Sequence, residues 1–346
     1  MDSPSRLETI KRNAPRLLGG AASIAFTFLG LLFVTFLIAR VVPIDPVLAV
    51  VGDRATDEVY QRVRVEMGLD RPMLVQFWIY LTDVLRGDLG MSNLTARPVA
   101  EDIARVFPAT LELATLAVIM GVGFGVPLGV WAAAHQDRWQ DQLVRIIGLI
   151  GYSVPIFWLG LVGLLLLYAR WELVAGPGRI DIYYEGLVPP VTGALLIDSL
   201  IAGDGQIFFN ALSHIILPAS LLGYFSLAYI SRMTRNFMLN ELAQEYVITA
   251  RVKGLPERSV IWGHAFANIR VPLLTVITLS YAGLLEGSVL TETVFVWPGL
   301  GSYITNALFA ADMNAVLGGT LVVGAVFVGL NLLADSLYTR LDPRTQ

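Results

Sequence analysis

The chain has 346 residues, 55% of them hydrophobic and only 15% charged. Soluble proteins run nearer to roughly 45–50% apolar and 25% charged, so this composition excludes an ordinary soluble globule. It also excludes a disordered chain, which needs low hydrophobicity and high net charge. A net charge of −4 gives no electrostatic reason to expect nucleic acid as a partner. The absence of cysteine removes disulfides, thiolate metal sites and a cysteine nucleophile. What remains is a polytopic membrane protein.

Uncharged runs place the spans. Five occur in chain order: Leu17–Ala39, Leu113–Ala134, Ile146–Ala169, Gly205–Ser231 and Met313–Ala334. Each exceeds the roughly 18–20 residues that cross a hydrocarbon core, and backbone groups in lipid demand helices. A further run, Val271–Leu285, reaches spanning length if Glu286 is tolerated and the helix continues to Thr291. Six spans are predicted, in an all-α fold. The first run is too long for a signal-peptide core of about 7–15 residues and reads as an uncleaved anchor.

Lys and Arg in short loops mark the cytoplasmic side. Arg6, Lys11, Arg12 and Arg16 place the N-terminus inside, and Arg340 and Arg344 place the C-terminus there too. The loop Arg232–Arg270, with six basic and three acidic residues, is also inside. The connection Arg170–Asp204 has two basic and five acidic residues and belongs outside, as does Arg40–Pro108 by alternation. Both outer segments are too long for plain connectors. In the first, Met67–Leu85 has helix-like apolar spacing; in the second, Val191–Ile197 is apolar but too short to span.

The inner loop is richer. Glu241–Lys253 lacks Gly and Pro and predicts a helix; Gly254 suits a left-handed cap, and Leu255-Pro256 a stop. A second helical stretch, Glu257–Asn268, leads into the next span. Ala250, Arg251, Lys253 and Glu257 are then small and charged groups open to a soluble partner, unless the loop is a connector obeying the charge rule.

Chemistry-bearing motifs are missing: no phosphate loop, zinc pair or nucleophile turn occurs. His135, His214 and His264 share no ligand spacing, and His214 reads as a packed residue. The chain is expected to be non-catalytic, with no cofactor or metal of its own. Ionisable residues in the spans are sparse. Glu112 begins the second span, where a helix N-terminus favours a carboxylate. Glu286, with Glu292 just beyond, is a candidate for a polar pathway, because exposing a carboxylate to lipid costs at least ~2.5 kcal/mol.

Read with its surroundings, the inner loop resembles the coupling motif of inner-membrane permease subunits of bacterial ABC importers. The string is Glu245-Tyr-Val-Ile-Thr-Ala-Arg-Val-Lys-Gly254-Leu-Pro. Thr249, Ala250 and Gly254 match the motif, while Ile248 stands where the family has Glu and Ala267 where it has Pro. His264-Ala265 and Asn268 are similar to the B-type subunits of the peptide/nickel group. Further resemblances run along the chain: Arg86-Gly-Asp-Leu-Gly90, Pro108-Ala-Thr-Leu-Glu-Leu113, Gly151-Tyr-Ser-Val-Pro-Ile-Phe-Trp158, Thr291-Glu-Thr-Val-Phe-Val-Trp-Pro-Gly-Leu-Gly301 and Leu341-Asp-Pro-Arg344. Pro190–Asp198 and Arg232-Met-Thr-Arg235 resemble dipeptide-type subunits in particular.

The resemblance implies a type I ABC importer permease of the MetI-like kind. It implies residues 1–108 as an N-terminal helix with an external segment, and 109–346 as the transmembrane domain, with a coupling loop at about 241–268. A C-type permease partner, two cytoplasmic ATPases carrying ATP and magnesium, and an external substrate-binding protein are implied, with di- or oligopeptides as cargo. Glu245, Thr249, Ala250, Arg251, Lys253, Gly254, Leu255, Pro256 and Glu257 would then contact an ATPase. The other readings are a stand-alone channel or ion-coupled carrier, which usually shows broken or repeated half-helices, and the same ABC role for a nickel chelate or other small solute.

Overall fold

A computed structural model describes residues 22–38, 45–52 and 54–341. The basic residues at 6, 11, 12, 16 and 344, and the ends of the first predicted span, lie outside the described residues. Those described are helical, without a strand; one antiparallel bridge joins Met91 and Pro98.

The helices are α1 (Ala22–Ile38), α2 (Pro46–Val51), α3 (Asp57–Glu66), α4 (Met73–Leu85), α5 (Val99–Ala134), α6 (Trp139–Ser153), α7 (Ile156–Arg170), α8 (Leu195–Ala202), α9 (Gly205–Leu242), α10 (Glu245–Val252), α11 (Glu257–Gly287), α12 (Val289–Val294), α13 (Leu300–Phe309) and α14 (Met313–Leu341). Four of them, α5, α9, α11 and α14, are long and apolar enough to cross a membrane, and α6 with α7 forms a bent fifth. α1, a shorter apolar helix, falls on the first predicted run, so four to five spans plus α1 agree only roughly with the six predicted.

Several boundaries differ from the sequence expectation, each for a local reason. The run Ile146–Ala169 is broken: α6 and α7 meet at 96°. Pro155 forces the residue before it out of the helical region, and Val154 is extended at φ −96°, ψ 125°. Met67–Leu85 is interrupted as well, since Gly68 turns left-handed at φ +67° and α4 begins only after Pro72. The fifth predicted span gains its length at the other end from the one expected. α11 starts at Glu257 and stops at Gly287 rather than continuing to Thr291. Glu112 lies well inside α5, which already begins at Val99, so the helix N-terminus that faces it is that of α8, through the Leu196 amide, and not its own.

The structure divides into two bodies, one of residues up to Asp102 with Asn306–Val328, the other of Ile103–Thr305 with the residues from Gly329 on. In the first, the ring of Phe36 packs on Phe77 and Tyr80 at 5.4 and 5.9 Å. Buried Asp312 accepts from the Ser92 hydroxyl at 2.6 Å and the Leu94 amide at 3.1 Å, pinning the turn after α4.

In the second body, α9 is the central post, with α6, α8 and α11 packed along it. Its start is capped by Asp204, whose carboxylate accepts from the amides of Gln206 and Ile207. Small residues set the spacing. A side chain at Gly121 would collide with the Ser226 hydroxyl, and one at Gly151 would meet Ala228 at 2.8 Å. Such contacts bring membrane helices close enough for dense packing where no hydrophobic force drives them together.

Candidate functional site

The inner loop folds as a short helix and a turn. The stretch from Glu241 is not one helix, because α9 ends at Leu242 and α10 starts only at Glu245, after an extended Gln244 (φ −75°, ψ 150°). α10 buries Val247 and Ala250 in a cluster with Val260, Ala265 and Ile269 of α11. Ala250 is therefore a core residue at 6% exposure, correcting the expectation that it is open to a partner. Its small side chain serves the close approach of α10 to its own chain.

Gly254 is left-handed at φ +76°, and its amide donates to the Arg251 carbonyl at 2.9 Å. The Leu255 amide reaches back to the Ala250 carbonyl at 3.2 Å, completing the cap predicted from the glycine. A Cβ built at Gly254 would meet nothing within 4 Å. The turn is open on this chain's side, and the space beside it is free.

The outward face is apolar. Ile248, Val252 and Leu255 are 52%, 83% and 39% exposed, with Thr249 beside them. Ile248 and Val252 were not among the contacts expected from the sequence, whereas Leu255 was, although the i, i+4 pair 248 and 252 is itself a helical-face signal. The signal was masked because Val247 and Ala250 give α10 a second apolar side. Of the charged groups, Arg251 and Glu257 are paired with each other at 2.6 Å. Glu245 and Lys253 are exposed. The loop thus presents an apolar patch rimmed by charge, a form that exposed patches on soluble partners complement.

The opposite end of the body is closed by ion pairs. Glu112, inside α5, accepts from Arg179 at 2.5 Å and from the Leu196 amide at 2.6 Å. The same guanidinium donates to the Gly193 carbonyl at 2.7 Å and lies over the Trp297 ring. His214 is buried, with Nδ1 3.0 Å from the Gly176 carbonyl and Nε2 3.3 Å from Asp181, which also accepts from Asn210. Asp198 gathers the Thr192 hydroxyl at 2.7 Å and the amides of Thr192 and Gly193. Burial pushes the Asp198 carboxyl up, but these donors outweigh it and hold the group below its ordinary value. The segment between α7 and α8, left as an outer loop by the sequence, is a strap tied at both ends.

The two acidic residues named for a pathway sit differently. Glu286 is exposed on α11. Glu292, on α12, is fully buried and accepts from the Thr110 hydroxyl at 2.7 Å, the Ser288 hydroxyl at 3.0 Å and the Ser302 amide at 2.9 Å. A side chain at Gly299 would come within 2.5 Å of its carboxyl. Glu292 joins α5 to the turn before α13. Among the described residues, no cluster of His, Asp or Glu has the form of a metal site.

In the second body, then, a short helix with an exposed apolar face lies beside the long apolar helices α9 and α11. Residues 125–346 match the model of the family described as binding-protein-dependent transport system inner membrane component, and residues 16–114 match that family's N-terminal membrane component. The chain is 44% identical over 317 residues to the probable D,D-dipeptide transport system permease protein DdpB of Escherichia coli strain K12, covering 91% of this chain and 92% of that one. It is 41% identical over 320 residues to the dipeptide transport system permease protein DppB of the same strain, covering 92% and 94%. It is 39% identical over 319 residues to the di/tripeptide permease protein DppB of Pseudomonas aeruginosa, covering 92% and 94%. Among solved structures, an inward-facing MetNI methionine ABC transporter aligns with TM-score 0.49 and 16% identity, over 69% of this chain and 93% of that one. The chain belongs to the binding-protein-dependent inner-membrane permease family, as a B-type ABC importer permease of the peptide group. It is a multi-pass protein of the inner membrane.

Proposed function

We propose that this chain and a C-type permease form the path by which di- or oligopeptides cross the inner membrane, driven by two cytoplasmic ATPases that bind ATP and magnesium. An external binding protein delivers the peptide to the face closed by the 170–204 strap. The N- and C-termini lie in the cytoplasm. The observation that carries this reading is the open turn at Gly254 beside Ile248, Val252 and Leu255. An ATPase groove receives that patch, with Glu245, Thr249, Lys253, Pro256 and the Arg251–Glu257 pair at its rim. Closure of the ATPases then pushes α10, and the push reaches the spans through Val247 and Ala250, which are packed into α11. Such a change is a rigid-body movement of packed elements. Exposed Glu286 lines the polar path, and Glu292 holds α12 beside it. The peptide cargo is supported by the names of the three relatives above, each a dipeptide or di/tripeptide permease.

The test is reconstitution of the purified chain into vesicles with and without its partners. Labelled dipeptide accumulates only when permease partner, ATPases, binding protein and ATP are all present. Uptake by this chain alone overturns the reading in favour of a stand-alone carrier. Thermal shifts of the binding protein with di- and tripeptides, haem and nickel chelates decide the cargo class.

A further inference from the structure

Arg145 on α6 is the last charge before the uncharged run Ile146–Ala169, and Arg232 on α9 is the first after Gly205–Ser231. α6 packs on α9 with Gly151 against Ala228, so these two boundaries are neighbours. Both cations therefore stand where apolar segments give way to charged ones, the depth of lipid headgroups. Between them opens a groove of about 380 Å³ lined by Arg145, Gly148, Tyr152, Arg232, Arg235 and Asn236.

The charge in the groove is unbalanced. Arg235 is committed to Asp141, which is fully buried and accepts from Nε and Nη2 at 2.5 and 2.7 Å. Arg232 lies on the face of the Tyr152 ring at 4.7 Å, and neither it nor Arg145 has a carboxylate in ion-pair range among the described residues. Arg145 feels the Asp141 charge without an ion pair to it, so one carboxylate faces three guanidinium groups and the groove keeps positive charge for an anion, for which phosphate is the natural match. On the hydrocarbon side the groove continues into exposed Ile146, Leu149 and Ile150 of α6 and Phe225 of α9. A small hydrophilic anion has no use for that apolar flank, whereas an amphiphile uses both parts.

We propose that this groove binds an anionic phospholipid, with its phosphate between Arg145 and Arg232 and an acyl chain along Ile146, Leu149 and Ile150. Basic pockets between spanning helices hold headgroups in this way. The lipid braces α6 against α9 just before the bend at Val154, adding to the Gly151–Ala228 approach, the Tyr224 hydroxyl on the Ile147 carbonyl and the Asp141–Arg235 pair. The proposal depends on headgroup depth and not on the transported substrate, so it stands or falls separately from peptide import.

Native mass spectrometry of the full-length chain in mild detergent tests it. Dioleoylphosphatidylglycerol is expected to be retained roughly tenfold better than dioleoylphosphatidylcholine, whose chains are the same. Arg145→Gln with Arg232→Gln abolishes the preference, while the paired Lys substitutions retain most of it. Arg138→Gln with Arg258→Gln, which removes equal charge elsewhere, leaves it intact. Equal retention of the two lipids by the unaltered chain overturns the proposal without need of any variant. So does a preference that survives the Arg145 and Arg232 substitutions. Displacement of the lipid by equimolar inorganic phosphate makes this a free-anion site, and displacement by dipeptide makes it a substrate site; either result overturns the lipid assignment.

Discussion

The strap between α7 and α8 and the loop between α9 and α11 are both polar connections, yet they are built in opposite ways. The strap spends its charged groups on its own chain: Glu112 takes Arg179 and the Leu196 amide, Asp181 takes Asn210 and His214, and Asp198 takes Thr192 and Gly193. The inner loop makes one exposed ion pair, Arg251 with Glu257, caps its backbone at Gly254, and leaves Ile248, Val252 and Leu255 in the open. A surface whose polar groups are already paired holds its shape without a partner. The strap also exposes Ile182, Tyr183, Leu187 and Val191, so the two connections differ in how their charged groups are held rather than in apolar exposure.

This contrast can be broken most sharply at Gly254. Nothing lies within 4 Å of a side chain placed there, so the strain is limited to its left-handed φ of +76°, about 1–2 kcal/mol. Gly254→Asp should leave the chain inserted and folded, by protease protection and melting temperature, while abolishing peptide-dependent growth. Normal growth of that variant would remove the docking role.

Glu112 is the counterpart outside. Glu112→Ala leaves Arg179 partly buried without its carboxylate, and breaking such pairs costs roughly 3–5 kcal/mol when burial is complete and less here. A clear fall in melting temperature is expected, partly restored by Arg179→Ala in the same chain. An unchanged melting curve would mean that the strap is not held from α5.

Asp198 sharpens the comparison through pH. Its folded-state pKa lies below the ordinary value of 3.8, so its contribution is fully present above that value and is lost as pH falls through the folded one. Between pH 7 and 5 the melting temperature should owe nothing to this group's titration. Asp198→Asn should melt lower than the unaltered chain at pH 7, and the gap should close only below about pH 4. A gap that closes by pH 5 would contradict the hydrogen-bonded carboxylate.

The smallest effect belongs to the Arg251–Glu257 pair, which is about half exposed on both sides. Exposed pairs contribute roughly 0–1 kcal/mol, so Arg251→Ala should shift melting by no more than a degree or two. A larger loss would show that the inner loop depends on its own ion pair in the manner of the strap.

The spans were legible in the sequence because lipid imposes a simple requirement: a long neutral run that satisfies its own backbone. The cap at Gly254 was legible for a similar local reason, since a left-handed turn selects glycine. The breaks were not. Val154 and Pro155 sit inside an apolar run, and a window that averages hydropathy does not register the proline's demand on its neighbour. Gln244 interrupts a stretch that contains no helix breaker, and tertiary packing of Val247 and Ala250 decides where α10 begins.

The sequence alone thus determined the class of protein, the apolar spanning runs and the position of the glycine-capped inner turn, because each follows from local composition or a single residue's backbone preference. Tertiary structure decided which side chains are available. Ala250 and Glu292 turned inward, Ile248 and Val252 outward, and the scattered Glu112, Arg179 and Asp198 came together as one strap. Those outcomes depend on partners far apart in the chain, brought within a few ångströms only when the helices pack.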